Sequence, residues 1–205
     1  MKTIALVPVK ALPEAKTRLA GQLPVERRMA LAERLFVHVI DAILASDAVD
    51  VCGVVSPDPV VLAEAQALGA TPIAQHGRGL NPGLEEGRAW AQAHGAQAVL
   101  VVLGDLPLLT PADVAGLVAL AEAPGVVLAP DRHGQGSNAL LLAPPDLFPF
   151  HFGPHSALHH AAEAARRGIP LRRYLSPGTA FDVDTPADLD AWLSRQALPA
   201  LGGNI

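Results

Sequence analysis

The chain has 205 residues, half of them apolar and 17% charged, with a formal net charge of −5. Such a length fits one domain with its own core, and the composition excludes a disordered chain. The single cysteine, Cys52, excludes an internal disulfide and a cysteine-built zinc site, and the acidic balance argues against a general nucleic-acid binder.

The first ten residues hold an apolar run too short for a signal peptide, so Ile4 to Val9 reads as a buried first strand. No stretch of 18 apolar residues predicts a membrane span, and the expected location is the cytoplasm. The next segment carries three cations within nine positions, Lys10, Lys16 and Arg18, in a chain with only three lysines. It is either a solvated basic loop or a cradle for a polyphosphate, and it holds neither GxxxxGK[ST] nor GxGxxG. Pro24 to Ala45 has apolar residues near a 3.6 period and predicts a long helix. Val49 to Val55 follows as a strand, and Val60 to Leu68 as a helix stopping at Gly69.

Gly79 and Asn81 precede a helix predicted over Pro82 to Ala93. Asn81 is a natural cap there, or else the pair touches a nucleotide base or ribose. The strand Ala98 to Leu103 runs into Gly104-Asp105. A carboxylate at a strand's carboxyl end is placed to hold a divalent metal, or it caps a turn. Thr110 and Pro111 open a helix predicted to Ala123. Val126 to Ala129 and Asn138 to Ala143 read as strands. Gly134 and Gly136 between them make either a plain turn or a backbone cradle leading to Ser137.

Pro144 to Pro154 is apolar, with Phe148, Phe150 and Phe152, and reads as a cover for the sheet end or as a wall of the site. Gly153 and Ser156 lead into a helix over His155 to Arg167, whose N-terminus suits an anion. His151, His155, His159 and His160 read as surface or pocket-edge histidines, because no HExxH and no acidic third ligand supports zinc. An extended Ala180 to Val183 would point Asp182 and Asp184 the same way, and two such carboxylates need a cation between them. Asp188 supports the first turn of a helix over Thr185 to Leu193. A disordered tail is expected over 199–205, leaving 1–198 as one domain. Strands alternating with helices imply an α/β sandwich around a mostly parallel sheet.

Five segments occur in order: VPVKALPEAKTRLA, GLNPGLEEG, VLGDLPLL, DRHGQGSNALLL with FGPHS, and FDVDTP. Together they resemble the phospholactate and phosphoenolpyruvate guanylyltransferases of deazaflavin coenzyme F(420) biosynthesis, over about Lys2 to Leu189. The resemblance implies a nucleotidyltransferase fold, GT-A-like and Rossmann-like, with a mixed central sheet between helical layers. It implies transfer of GMP from GTP to a phosphorylated three-carbon acid, with release of diphosphate. By resemblance Asp105, Asp182 and Asp184 hold magnesium, and Ser137, Gly153 and Ser156 hold the acid. Lys10, Lys16 and Arg18 stand where broader nucleotidyltransferases have a glycine-rich loop. Lys16 and Arg18, with Gly79 and Asn81, are the expected nucleotide contacts; Lys10, Lys16, Arg18 and Asp105 are the expected catalytic set. A homodimer, and hand-over of the labile product to the next enzyme, are further expectations, with no membrane or nucleic-acid partner. The residues leave open phosphoenolpyruvate, 2-phospho-L-lactate and 3-phosphoglycerate as acids. They also leave open another nucleotidyltransferase, of the cytidylyl or molybdopterin guanylyl type, and a non-catalytic nucleotide-binding domain.

Overall fold

The computed structural model describes residues 1–197, so the tail expected over 199–205 lies outside the described residues. Among the described residues seven strands form one sheet: β1 (Thr3–Pro8), β2 (Val51–Ser56), β3 (Thr71–Ala74), β4 (Ala98–Val102), β5 (Gly125–Pro130), β6 (Ser137–Ala143) and β7 (Leu171–Arg173). Their order is β3-β2-β1-β4-β6-β5-β7. All neighbours are parallel except β6, which runs against both β4 and β5. Five strands match the predicted ones to within two residues. β3 and β7 were not predicted. They are edge strands of four and three residues, carrying Pro72 in one and Arg172 and Arg173 in the other, residues that an edge position readily tolerates.

The helices are α1 (Val25–Leu44), α2 (Pro59–Ala67), α3 (Leu80–Ala93), α4 (Pro111–Ala119), α5 (Ser156–Arg166), α6 (Pro177–Ala180) and α7 (Pro186–Ala197). α4 begins as expected: Thr110 and Asp113 close a reciprocal capping box ahead of Pro111. It ends four residues earlier than predicted. The short α6 was not predicted.

Alternation along the central strands divides the core. Ala5 and Val7 face α1, α2 and α4, through Phe36, Ile40, Val61 and Leu117. Ile4 and Leu6 face α3 and α5, through Leu84, Ala91, Ala157 and Ala164. Residues buried on both faces explain why these strands read as continuous apolar runs. A third cluster joins Leu19 and Leu35 to Phe181, Val183, Leu189 and Trp192. It fastens the segment before α7 over the loop that follows β1. No described helix is long and apolar enough to cross a membrane.

Candidate active site

Strand order reverses between β1 and β4, and a crevice opens there, outside the carboxyl ends of the parallel strands. Because β6 is antiparallel, its first residues lie at that same edge. A cleft of about 870 Å³ therefore gathers the loop after β1, the Gly104-Asp105 turn after β4, the start of β6 and the start of α5.

The loop after β1 folds as two short 3₁₀ turns, Leu12–Glu14 and Thr17–Leu19. Lys16 joins them with φ 52°, a left-handed conformation that a non-glycine residue adopts at a cost of roughly 1 kcal/mol or more. That turn drives its ammonium inward. Lys16 Nζ lies 2.7 Å from Asp105 Oδ2 and 3.1 Å from Asp184 Oδ1, with only 8% of the side chain exposed. Burial alone would lower the Lys16 pKa; the two carboxylates outweigh it and raise it. Arg18, largely exposed, adds a second contact to Asp184 at 3.3 Å. Lys10 stays exposed on the rim of the cleft.

The residues 180–185 are not a strand, as the alternation argument assumed, although Val183 N–H bonds Asp105 O at 3.2 Å. Asp182 and Asp184 nonetheless both line the cleft. Asp182 has its pKa raised by burial and by the like charges of Asp105 and Asp184. Asp105 Oδ1 is buried and has no hydrogen-bond partner among the described residues. The cluster thus carries more negative charge than it pairs. Hard oxygen donors with an unpaired buried atom fit a small divalent cation, which takes few protein carboxylates and completes its shell elsewhere. Among the described residues, no three His, Cys, Asp or Glu side chains form a ready metal cage. Lys16 stands between two of the three carboxylates.

Asp188 does more than favour a helix start. Its carboxylate accepts from Asp184 N at 3.0 Å and Thr185 N at 2.7 Å, and pairs with Arg132. Burial opposes ionisation, but these partners together lower its pKa. Asp188 thereby fixes the backbone that presents Asp184. Arg132, which the sequence reading did not single out, lies in the cleft with its guanidinium 5.2 Å over the Phe181 ring.

The glycine loop between β5 and β6 is occupied from within. The Asp131 carboxylate accepts the N–H groups of His133, Gln135 and Gly136 at 3.0, 2.9 and 2.8 Å. That loop is no open backbone cradle. A Cβ on Gly136 would sit 2.7 Å from Asp131 Oδ2, which is why glycine is needed there. The α5 start is likewise closed: Ser156 N bonds Gly153 O at 3.2 Å, and Ala157 N bonds Gln135 O at 2.9 Å. The expected free amides of the helix are taken. Side-chain hydroxyls remain: Ser137 and Ser156 face each other, Ser137 N donating to Ser156 Oγ at 2.8 Å. Gly153 has φ 134° and open space where a Cβ would go, so its requirement is conformational and not steric.

Two expectations on α3 change. The helix begins at Leu80, and Gly79 at φ 99° precedes it, so Asn81 is no cap. The Asn81 amide instead clasps Phe152, donating to its carbonyl at 2.9 Å and accepting its N–H at 2.8 Å. Both ends of that amide are engaged within the protein; Gly79 lines the cleft and Asn81 does not. The apolar excursion serves in both ways considered. Phe148, Phe150 and Phe152 are buried against the sheet, and Phe152 also walls the cleft. His160, expected at the surface or at a pocket edge, is fully buried. The sign was available: Ser156, Ala157, His160 and Ala164 share one helix face, with the spacing i, i+1, i+4, i+8.

The family described as guanylyl transferase CofC like matches residues 3–194. A phosphoenolpyruvate guanylyltransferase of Sphaerobacter thermophilus is 47% identical over 190 residues, covering 93% of this chain and 92% of that protein. Among solved structures, a nucleotidyl transferase of Methanothermobacter superposes with a TM-score of 0.67 at 18% identity, covering 95% of this chain and 99% of that one. Glucosyl-3-phosphoglycerate synthase of Mycobacterium tuberculosis, with Mn2+, UDP and phosphoglyceric acid, superposes with a TM-score of 0.64 at 17% identity, over 100% and 81% of the two chains.

Proposed function

The chain belongs to the CofC-like guanylyl transferase family and is a nucleotidyl-transferring enzyme, and on that premise we propose which residues carry which part of the reaction. GMP passes from GTP to the phosphate of phosphoenolpyruvate, or of 2-phospho-L-lactate, and diphosphate leaves. This is the guanylyl transfer of coenzyme F(420) biosynthesis. The observation that carries the assignment is the meeting of Lys16, Asp105 and Asp184. They are separated by 89 and 168 positions in the chain and gather in one cleft beside the serine pair.

The acceptor phosphate is already an anion, so the attack on the α-phosphorus of GTP needs no general base. The obstacle is bringing two polyanions together, which calls for positioning and for charge placed in advance. Lys10, Lys16 and Arg18 from the loop after β1, and Arg132 from the loop between β5 and β6, supply positive charge to the cleft. Lys16 is already held at the carboxylates and can meet a phosphate oxygen beside them. Asp105, Asp182 and Asp184 would hold magnesium, which supplies Lewis-acid neutralisation of the phosphates when bound. Gly79 borders the nucleotide end. Ser137, Ser156 and the backbone at Gly153 receive the acid, through hydroxyls in the main.

Mass spectrometry of the product from GTP with phosphoenolpyruvate, 2-phospho-L-lactate and 3-phosphoglycerate in competition tests the reading. The phosphoanhydride that joins GMP to the phosphate of phosphoenolpyruvate is expected to dominate. No such anhydride with any of the three, or equal turnover with CTP in place of GTP, would refute it.

A further inference from the structure

His160 is the one histidine of α5 whose ring is fully buried, and the reaction as described leaves it without a role. Its ring lies behind Ser137, edge-on to Phe152 at 5.1 Å between centroids and 6.2 Å from Phe148. Both ring nitrogens are engaged. The His151 backbone N–H points at Nε2 from 3.1 Å, and Nδ1 lies 2.9 Å from Ser137 Oγ.

A backbone amide can only donate. Nε2 must therefore be the bare, accepting nitrogen, and the proton of the neutral ring must sit on Nδ1. Nδ1–H then donates to Ser137 Oγ. The hydroxyl oxygen accepts that bond and keeps its own hydrogen for a third group. Ser156 Oγ is in the same position, since it accepts the Ser137 amide. Neither O–H donates elsewhere among the described residues, and both serines line the cleft. Burial, with His151 and His159 as the titratable groups facing the ring, lowers the His160 pKa to about 4, which keeps the ring neutral at ordinary pH.

We propose that His160 is a positioning residue that makes the Ser137 hydroxyl an obligate donor toward an anionic oxygen of the acid substrate. The idea rests on the reading that Ser137 and Ser156 bind that acid. Two hydroxyls compelled to donate favour a carboxylate or phosphate oxygen and disfavour a substrate group that itself brings a hydrogen. They do so without adding positive charge beside the cationic loop, so acid and triphosphate need not compete for one site.

Two substitutions separate the two ring nitrogens. His160→Asn keeps a donor near the Nδ1 position and gives up the acceptor for His151. His160→Gln reaches the Nε2 position, keeps an acceptor for His151 and gives up the donor to Ser137. A structural role alone predicts the same kinetics for both. The proposal predicts that His160→Gln raises the KM for phosphoenolpyruvate about tenfold, as for a misdirected hydrogen bond to an anion. The KM for GTP should stay unchanged, and His160→Asn should stay within about twofold of the wild type. In a Ser137→Ala background, His160→Gln should add nothing further. Nitrogen-15 NMR of the intact wild-type protein should show His160 protonated at Nδ1 near neutral pH. An Nε2-protonated ring, or equal acid KM values for the Asn and Gln variants, overturns the proposal. A wild type with no acid-dependent turnover of GTP overturns the reading of the cleft, and this role with it; the ring tautomer is read separately, so the two failures are distinct.

Discussion

Lys16→Met removes the charge that holds the cleft together while keeping most of the stem. Asp105 and Asp184 would then face each other, and Asp182, without the ammonium at 2.7 and 3.1 Å. Leaving a buried charge without its partner costs about 3–5 kcal/mol. Here the figure must be reduced: Asp184 is 39% exposed and keeps Arg18 at 3.3 Å. About 2 kcal/mol remains. For a chain of this size that amounts to a fall of about 6 °C in Tm, measured by calorimetry or circular dichroism in the absence of divalent ions. Magnesium at millimolar concentration should recover part of the loss, because it supplies the missing positive charge at the same carboxylates. Loss of a charge-assisted contact to the triphosphate should also raise the KM for GTP about ten- to a hundredfold. An unchanged Tm together with an unchanged GTP dependence would show that Lys16 is a bystander, and the charge argument for this cleft would fail.

Asp105→Asn should lower kcat at least about a hundredfold while circular dichroism shows a folded chain; near-normal turnover at limiting magnesium would remove Asp105 from the metal site. Ser156→Ala leaves the buried Ser137 N–H without its acceptor. Titrations should show a KM for the acid raised tenfold or more with that for GTP unmoved, and denaturant melts a loss of about 1–3 kcal/mol; a shift confined to GTP would assign this pocket to the nucleotide. Acid should weaken the fold through His160, whose pKa drops from 6.5 to about 4 on folding. The folded pKa is the lower one, so the unfolded chain binds the extra proton. The stability is present above pH 6.5 and declines as pH falls toward 4, by about 3 kcal/mol in all. Melts of His160→Asn across that window should show a shallower slope than the wild type, and equal slopes would discount the effect.

The interior of the fold was legible because strands covered on both faces leave runs of Val, Ile and Leu, and because Thr110-Pro111 and Gly69 announce helix ends. The edges were not. Thr71–Ala74 and Leu171–Arg173 pair on one side only, so neither apolar patterning nor absence of proline is imposed on them. Within the site, charge was the readable signal. Lys16 stood out as one of three lysines, Asp105 as a carboxylate just past β4 and Asp184 as half of an Asp-x-Asp pair, and they converge. What stayed hidden was which polar group satisfies which. The Asp131 carboxylate fills the glycine loop, Gln135 caps the Ala157 amide, and Asn81 clasps Phe152. Each of these looked like a free ligand contact until its partner was seen. Tertiary hydrogen bonds of this kind depend on distances between segments, and no local pattern encodes them.

The clasp from Lys16 to Asp184 has a consequence for synthesis of the chain. Every strand of the sheet has left the ribosome by residue 173, and the crevice between β1 and β4 could form from that portion. Its charge would be unfinished. Until residue 184 emerges, Lys16 has one carboxylate instead of two, and the apolar cluster that fastens the loop after β1 lacks Phe181, Val183 and Trp192. The portion through residue 173 thus carries every described strand of the sheet, whereas the charge of the crevice and the apolar cluster that fastens it are completed only by residues 181 onward.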